Sequence, residues 1–237
     1  MTGAYLMHLT KLTPTPEGAT DMGIFSKLSR RNRRKIDPTV AAVFEKIQKL
    51  LEDEEFQISA CGDQLKELLM SKPALDRVPN GEGPFGFNLA NPIPVNGPIG
   101  ELAYLSRLET KRGERILFHR LGSIGNIDAF ESVTFSGSEW HFLFLDYYHS
   151  RRSREAPEGF RLAKIAGQFS GFNKFCPNFP YDFADAKRAE DITGLRMAYI
   201  PLGMVDDHIR RRVYRRPPEH EAALAEVQST LTGRQTL

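Results

Sequence analysis

The sequence predicts an α+β domain whose centre is an antiparallel β-meander of at least three strands, at about residues 114–149, flanked by N-terminal and C-terminal helices. The strands are indicated by the segments 133–135 and 140–148, which are rich in β-branched and aromatic residues, and by two glycine-led turns between the strands. The N-terminal helices are indicated by apolar residues that recur at helical spacing before the strands.

Length and composition fit a globular protein. The chain has 237 residues, of which 41% are hydrophobic and 26% charged, enough for one large domain or for one domain with an extension. No run approaches the roughly 18 apolar residues that a membrane span needs, and the N-terminus lacks the pattern of a secretory signal. Cys61 and Cys176 are too few and too far apart for a disulfide scaffold. We therefore expect a cytoplasmic protein without a cofactor.

Residues 1–36 are predicted to be a flexible, basic N-terminal extension of a single α+β domain at 37–237. Part of the extension is rich in Thr, Pro and Gly, which disfavours a helix. Its segment 27–35 has no acid and six basic residues, which are Lys27, Arg30, Arg31, Arg33, Arg34 and Lys35. Taking these six from the 32 basic residues leaves 26 against 30 acidic ones, so the rest of the chain has a net charge of −4. Met1 and Met22 both remain possible starts.

Helix signals occur on both sides of the meander. Asp37 can cap a helix and Pro38 suits its first position, which predicts a helix through Leu51. A second helix is predicted over Asp63–Ser71, because Pro73 cannot continue it. After the strands, weaker patterns predict a helix at 182–190, a strand at 195–200 and two final helices at 204–214 and 218–231.

A long Pro/Gly loop is predicted at 73–98. A segment of this length is either a linker or a binding loop. It contains apolar residues that a solvated linker would not use, namely Phe85, Phe87, Leu89, Ile93 and Val95. We therefore expect the loop to lie over the body of the domain. The next segment, 99–108, fits a short helix or a strand, and the sequence does not decide between them.

The positions of the two turns set the register of the meander. If Gly125-Asn126 is the centre of the first turn, Arg120 faces Glu131. If Gly137-Ser138 is the centre of the second, Asp146 lies on the same face as Glu131. Arg120, Glu131 and Asp146 are then neighbours at one end of the sheet. Both faces of the sheet are largely apolar, so we expect N-terminal helices on one and C-terminal elements on the other.

Arg120, Glu131 and Asp146 are the candidate catalytic residues. Two carboxylates beside one guanidinium suit acid–base chemistry, because one carboxylate has its pKa raised by its neighbour. The alternative is an ion cluster with a structural role. The sequence has no nucleophile elbow and no Walker A loop. Enzymatic activity therefore stays undecided, and a role without catalysis is favoured.

No metal site is predicted. His119 and His141 lie on the two outer strands of the meander, about 9–10 Å apart, which is too far to share one ion. Each is expected to be a packed or hydrogen-bonded residue of the core. Cys176 lies between Phe175 and Pro177 with no base nearby, and we expect a buried, unreactive thiol.

Three arginine-rich clusters are candidate binding surfaces. Besides segment 27–35, they comprise Arg151, Arg152 and Arg154 after a His149 that is expected to be exposed, and Arg210, Arg211 and Arg212 with Arg215 and Arg216. Segment 27–35 suits the phosphates of a nucleic acid, an anionic lipid surface or an acidic protein surface.

The leading hypothesis is a cytoplasmic, bacterial-type accessory or binding protein, partner-binding or inhibitor-like, which contacts another protein through the loop at 73–98 and the arginine clusters. One alternative is a hydrolase that uses Glu131 and Asp146 with Arg120. A second alternative is a nucleic-acid-binding protein that acts through segment 27–35. The oligomeric state is left open.

Overall fold

A five-stranded mixed β-sheet lies at the centre of the fold in the computed structural model, which describes residues 38–167, 171–181 and 214–233. The helices are α1 (Pro38–Glu52), α2 (Glu54–Ser59), α3 (Asp63–Ser71), α4 (Gly97–Leu105) and α5 (Pro218–Gly233). The strands are β1 (Ile93–Pro94), β2 (Leu108–Thr110), β3 (Ile116–Ile124), β4 (Ile127–Thr134), β5 (Trp140–Asp146), β6 (Phe160–Leu162) and β7 (Gly171–Phe172). The predicted α+β class is confirmed.

The sheet has the strand order β1-β5-β4-β3-β7. Strands β3, β4 and β5 form the predicted antiparallel meander. The prediction of a purely antiparallel sheet is wrong, because β1 adds in parallel to β5 and β7 adds in parallel to β3. Both added strands are only two residues long, so they have no strand pattern that a sequence could reveal. Strands β2 and β6 form a separate antiparallel pair.

The Pro/Gly segment after α3 lies on the body of the domain, as predicted. Phe85, Ile93 and Val95 are buried, and they join the core on one face of the sheet. The segment ends where α4 begins at Gly97, so the ambiguous stretch that follows is a helix and then the short strand β2.

The described helices largely match the sequence. α1 and α3 begin and end within a residue of their predicted bounds, and α5 begins at Pro218 as expected. The six-residue helix α2 was not predicted. The elements predicted at 182–190, 195–200 and 204–214 lie outside the described residues, apart from Tyr214.

Both faces of the sheet are covered. On one face Ile116, Phe118 and Phe130 pack with Tyr104 and Leu105 of α4. On the opposite face the cover comes from the C-terminal half of the chain, where Cys176, Phe179, Tyr214, Val227 and Leu231 pack on the strands. α1 lies behind α4, on the side away from the sheet, so α4 rather than α1 is the N-terminal helix that contacts the strands. The buried Cys176 confirms the predicted burial of this thiol.

A β-bulge in β3 changes the predicted register. The turn at Gly125-Asn126 is confirmed, since Ile124 is paired with Ile127 and Gly125 has a φ of +62°. The pairing then shifts by one residue between Arg120 and Gly122. As a result His119, and not Arg120, is the residue opposite Glu131.

The second turn is longer than predicted. The Thr134 N–H donates to the Glu139 carbonyl at 2.9 Å, so residues 135–138 form a four-residue loop rather than a two-residue turn. Glu131 is therefore opposite Phe142, not Phe144. This shift of two residues leaves every β5 side chain on its predicted face, whereas the one-residue bulge in β3 does not.

Candidate functional site

The structure separates the three candidate catalytic residues. The bulge places Arg120 on the α4 face of the sheet, where its guanidinium donates to both carboxylate oxygens of Asp128 at 2.5 and 2.9 Å. Glu131 and Asp146 lie on the opposite face, and Asp146 lies 3.1 Å from His149. The predicted pairing of Arg120 with Glu131 is therefore wrong, and no shared site of the three residues exists.

Glu131 is the centre of a buried ion cluster. It has no exposed surface, and it accepts a 2.8 Å bond from Nε2 of His119 and a 3.0 Å bond from Nε2 of His220. Arg216 adds two bonds at 2.6 and 2.9 Å, one to each carboxylate oxygen. Burial alone would raise the pKa of Glu131, but these hydrogen bonds outweigh it and hold the pKa far below the ordinary value. Glu131 is therefore ionised at neutral pH.

The same cluster fixes the tautomer of His119. Its Nδ1 accepts the backbone N–H of Cys176 at 3.0 Å, so Nε2 is the nitrogen that donates to Glu131. His119 is 1% exposed and stacks on the ring of Phe179. The prediction of a packed, hydrogen-bonded core histidine is confirmed.

A second buried cluster lies on the α4 face. Glu101 of α4 is fully buried beside Asp128, the carboxylate that also holds Arg120. Burial, and then the neighbouring Asp128 carboxylate, raises the pKa of Glu101 well above its ordinary value. The raised pKa favours the protonated form of Glu101, which can donate to Asp128.

Replacing Glu101 by glutamine should keep a donor towards Asp128 and remove the titration. Because the pKa of Glu101 is raised in the folded state, the wild-type chain loses about 1.4 kcal/mol of stability per pH unit above the ordinary glutamate pKa, until Glu101 ionises. The stability of E101Q relative to wild type should therefore rise between pH 5 and pH 8 by at least about 1 kcal/mol. Urea unfolding at both pH values measures it, and a difference that does not change with pH would contradict the assignment.

His149 is not exposed, contrary to prediction. It is 7% exposed, because its ring lies between Asp146 and the Pro73 carbonyl. Burial alone would raise the pKa of Asp146, but hydrogen bonds, first from His149 and then from Asn126, lower it. His149 therefore has a structural contact here and presents little surface to a partner.

Two of the three arginines that follow also have internal partners. Arg151 donates to both oxygens of Asp76 at 2.7 and 3.1 Å. Those bonds, with one from the Arg154 backbone, lower the pKa of Asp76 to about 2. Arg152 is buried and donates to two helix carbonyls, whereas Arg154 is exposed. Of the three arginines in this predicted binding cluster, only Arg154 is exposed. The predicted binding segment 27–35 lies outside the described residues.

One concave surface lies beside Arg152 and Arg154. It encloses about 530 Å³ and is lined mainly by acids from the α1–α2 junction and by arginines. Glu52 is ion-paired with Arg107, and Glu54 with Arg152 at 3.2 Å. Much of its charge is therefore paired within the protein.

A second concave surface, which we call the β5 groove, lies along the outer edge of β5 and encloses about 540 Å³. Its lining residues come from β5, from the loop before it, from the Pro/Gly segment and from the start of α5, and they are Phe87, Ser138, Glu139, Trp140, His141, Phe142, Pro217, Glu219, His220 and Ala223.

The β5 groove runs along a strand edge that no described strand pairs with. The even-numbered residues of β5 point their peptide groups outward, since the Phe144 N–H donates to Gly86 at 2.9 Å and the Asp146 carbonyl accepts from Val95 at 2.8 Å. Trp140 and Phe142 have the same orientation, but β1 does not extend to them. Within the described residues their outward peptide groups have no backbone partner.

Aromatic rings form both walls of the groove. On the α4 face the ring centroids of Phe87 and His141 are 5.6 Å apart. On the opposite face His220 is stacked on Phe142 at 4.2 Å, with Trp140 next to it. The bond from His220 to Glu131 fixes this wall, so the buried ion cluster positions the groove.

Sequence reasoning did not single out His220, and it assigned Arg216 to a surface arginine cluster, whereas its guanidinium is paired with the buried Glu131. His220 and Arg216 are 89 and 85 positions from Glu131, and only tertiary packing brings them together. A tryptophan that occurs once in the chain, Trp140, was the one available signal, because large aromatic rings are enriched at interfaces.

Other site classes find no support in the described part of the chain. Its His, Cys, Asp and Glu side chains form no group of three that could hold a metal ion. None of its helices is both long and apolar enough to cross a membrane. Comparison of the sequence and the fold with protein-family models, curated proteins and solved structures finds no match.

Proposed function

We propose that the protein binds a partner protein, and that it does so by adding an extended segment of that partner to the free edge of β5. The observation that supports this proposal is the pair of outward peptide groups at Trp140 and Phe142, which border the β5 groove and have no backbone partner in the described part of the chain. An unpaired strand edge offers donors and acceptors that match an incoming strand.

The rest of this edge already accepts extended chain. Ile93 and Pro94 pair in parallel with Leu145 and Asp146, and Gly86 accepts the bond from Phe144. A partner strand at Trp140–Phe142 would continue this pairing along the same edge. Its side chains would alternate between the two aromatic walls, which would give sequence preference.

The alternatives receive less support. The hydrolase hypothesis requires Arg120 near Glu131, and they lie on opposite faces of the sheet. Nucleic-acid binding through 27–35 stays a prediction, since that segment lies outside the described residues. A cytoplasmic location is proposed because Cys61 and Cys176 are both free thiols, as in a reducing compartment.

Replacing Phe142 by proline should weaken strand addition, because proline lacks the outward N–H. The matched control is Phe142→Ala, which also loses the ring but keeps the N–H. Linear 12-residue peptides selected by phage display on the wild-type protein provide the probe, and fluorescence of Trp140, the single tryptophan, reports binding. We expect F142P to bind at least about tenfold more weakly than F142A, as the loss of one backbone hydrogen bond implies.

Circular dichroism and urea unfolding establish that both variants are folded. Equal affinity of F142P and F142A for the selected peptides would contradict strand addition at this edge. Failure of the wild-type protein to enrich any peptide over the bare support would contradict the proposed function as a whole.

A further inference from the structure

Two carboxylates at the rim set the charge of the β5 groove. Glu139 has a side chain that is 53% exposed, and Glu219 is also exposed. Neither has an ion pair with a lysine or an arginine in the described part of the chain. Among the described residues, the groove therefore has two carboxylates with no lysine or arginine paired to them.

The basic side chains near the groove do not offset this charge. Burial lowers the pKa of His141, so its ring is neutral at pH 7. His220 donates to the ionised Glu131, and Arg216 is paired with the same carboxylate. Among the described residues that line the groove, Glu139 and Glu219 are therefore the exposed charges.

We infer that the segment bound at the β5 edge has a lysine or an arginine whose charged group lies between Glu139 and Glu219; this inference rests on the proposed function. Such side chains have a long apolar stem and a charged end. The groove offers a match for both parts, since the half-buried rings of Trp140 and Phe87 line it together with the exposed carboxylates Glu139 and Glu219. A short or an acidic side chain would match neither part.

The same charges argue against the other occupants of an open strand edge. In a second copy of this chain paired through β5, the rim carboxylates Glu139 and Glu219 of both copies would be brought close together, and like charges repel. A nucleic acid would bring its phosphates to the same carboxylates. A basic, extended protein segment is the occupant that the groove complements.

The selected 12-residue peptides also test this inference. Each lysine of the best binder is replaced by norleucine, which keeps the stem and loses the charge. We expect one such replacement to weaken binding to the wild-type protein by about three- to tenfold, as for one or two partly exposed ion pairs. The double variant E139Q/E219Q should bind the lysine and norleucine peptides equally, whereas the control Glu226→Gln, an exposed α5 carboxylate outside the groove lining, should still distinguish them.

The outcomes separate the two proposals. If the selected peptides bind F142P more weakly than F142A and yet contain no basic residue, or lose no affinity when lysine is replaced by norleucine, either result would overturn the basic-residue inference but would still support strand addition. Peptides that bind F142P and F142A with equal affinity would overturn strand addition. If E139Q/E219Q distinguishes the lysine peptide from the norleucine peptide as well as the wild-type protein does, the lysine contacts another part of the protein. That result would refute this subsite.

Discussion

Replacing Glu131 by glutamine should lower the free energy of unfolding by about 3–5 kcal/mol, which is the usual effect of breaking a buried ion pair. Glu131 is fully buried, and its two oxygens accept both bonds from Arg216. The amide would leave the guanidinium charge without its counter-ion and would turn an NH₂ group towards donors. Urea unfolding at pH 7 measures the loss.

The control is Glu139→Gln, which removes a carboxylate whose side chain is 53% exposed. It should change stability by less than about 0.5 kcal/mol. The double variant E131Q/R216Q should recover part of the loss, because it removes the unpaired charge as well. A loss below about 1 kcal/mol in E131Q would show that the cluster is not an important source of stability.

The variant E131Q should also change how the free energy of unfolding depends on pH in the acidic range. The pKa of Glu131 is lowered in the folded state, so its contribution is present above the ordinary glutamate pKa and is lost as pH falls below it. The difference between wild type and E131Q should therefore shrink below about pH 4.5. Glu101 has the opposite effect on stability. Its pKa is raised in the folded state, so it destabilises the fold more as pH rises.

Features with a local cause were predictable from sequence. Pro38 at the start of α1 and Pro73 after α3 fix those helices through backbone geometry alone. The Gly125-Asn126 turn follows from the φ of +62° that glycine adopts readily. None of these depends on a distant residue.

The register of β3 was not predictable in this way. A bulge adds one residue and moves Arg120 to the other face. A strand with one solvated face would show the insertion as a break in its alternation of polar and apolar residues. β3 is instead buried on both faces from Ile116 to His119 and only partly buried from Arg120 to Ser123, so it has no such alternation to reveal the bulge. Gly122 was the single local hint, since glycine inside a strand often marks a bulge.

The candidate site also depends on distant contacts. Phe87 reaches the β5 groove from the Pro/Gly segment, and His220 reaches it from α5. The open edge exists because β1, which runs parallel to β5, begins only at Ile93, opposite Leu145, so no strand among the described residues pairs with Trp140–Phe142 on that edge. Neither the length of β1 nor the docking of α5 is encoded in a local pattern, so the sequence predicted the strand but not its exposed edge.

Replacing Arg152 by methionine should destabilise the fold by about 2–4 kcal/mol. Its guanidinium donates to the carbonyls of Leu51 and Glu52 at 3.1 and 3.2 Å and pairs with Glu54 at 3.2 Å. Carbonyls at the end of a helix lack partners within the helix, and a cation there also opposes the negative end of the helix dipole. Methionine keeps much of the stem but leaves both carbonyls and Glu54 without a donor.

The matched control is Arg154→Met, an exposed arginine two positions away. Both substitutions remove one positive charge, so they differ in local contacts but not in net charge. We expect R154M to remain within about 0.5 kcal/mol of wild type in urea unfolding. Equal stability of the two variants would contradict a structural role for Arg152 and would restore the arginine cluster as a surface feature. A large loss in R152M alone would show that this cluster mainly joins the α1–α2 junction to the chain that leaves β5, because a charge held by helix carbonyls is not presented to a partner.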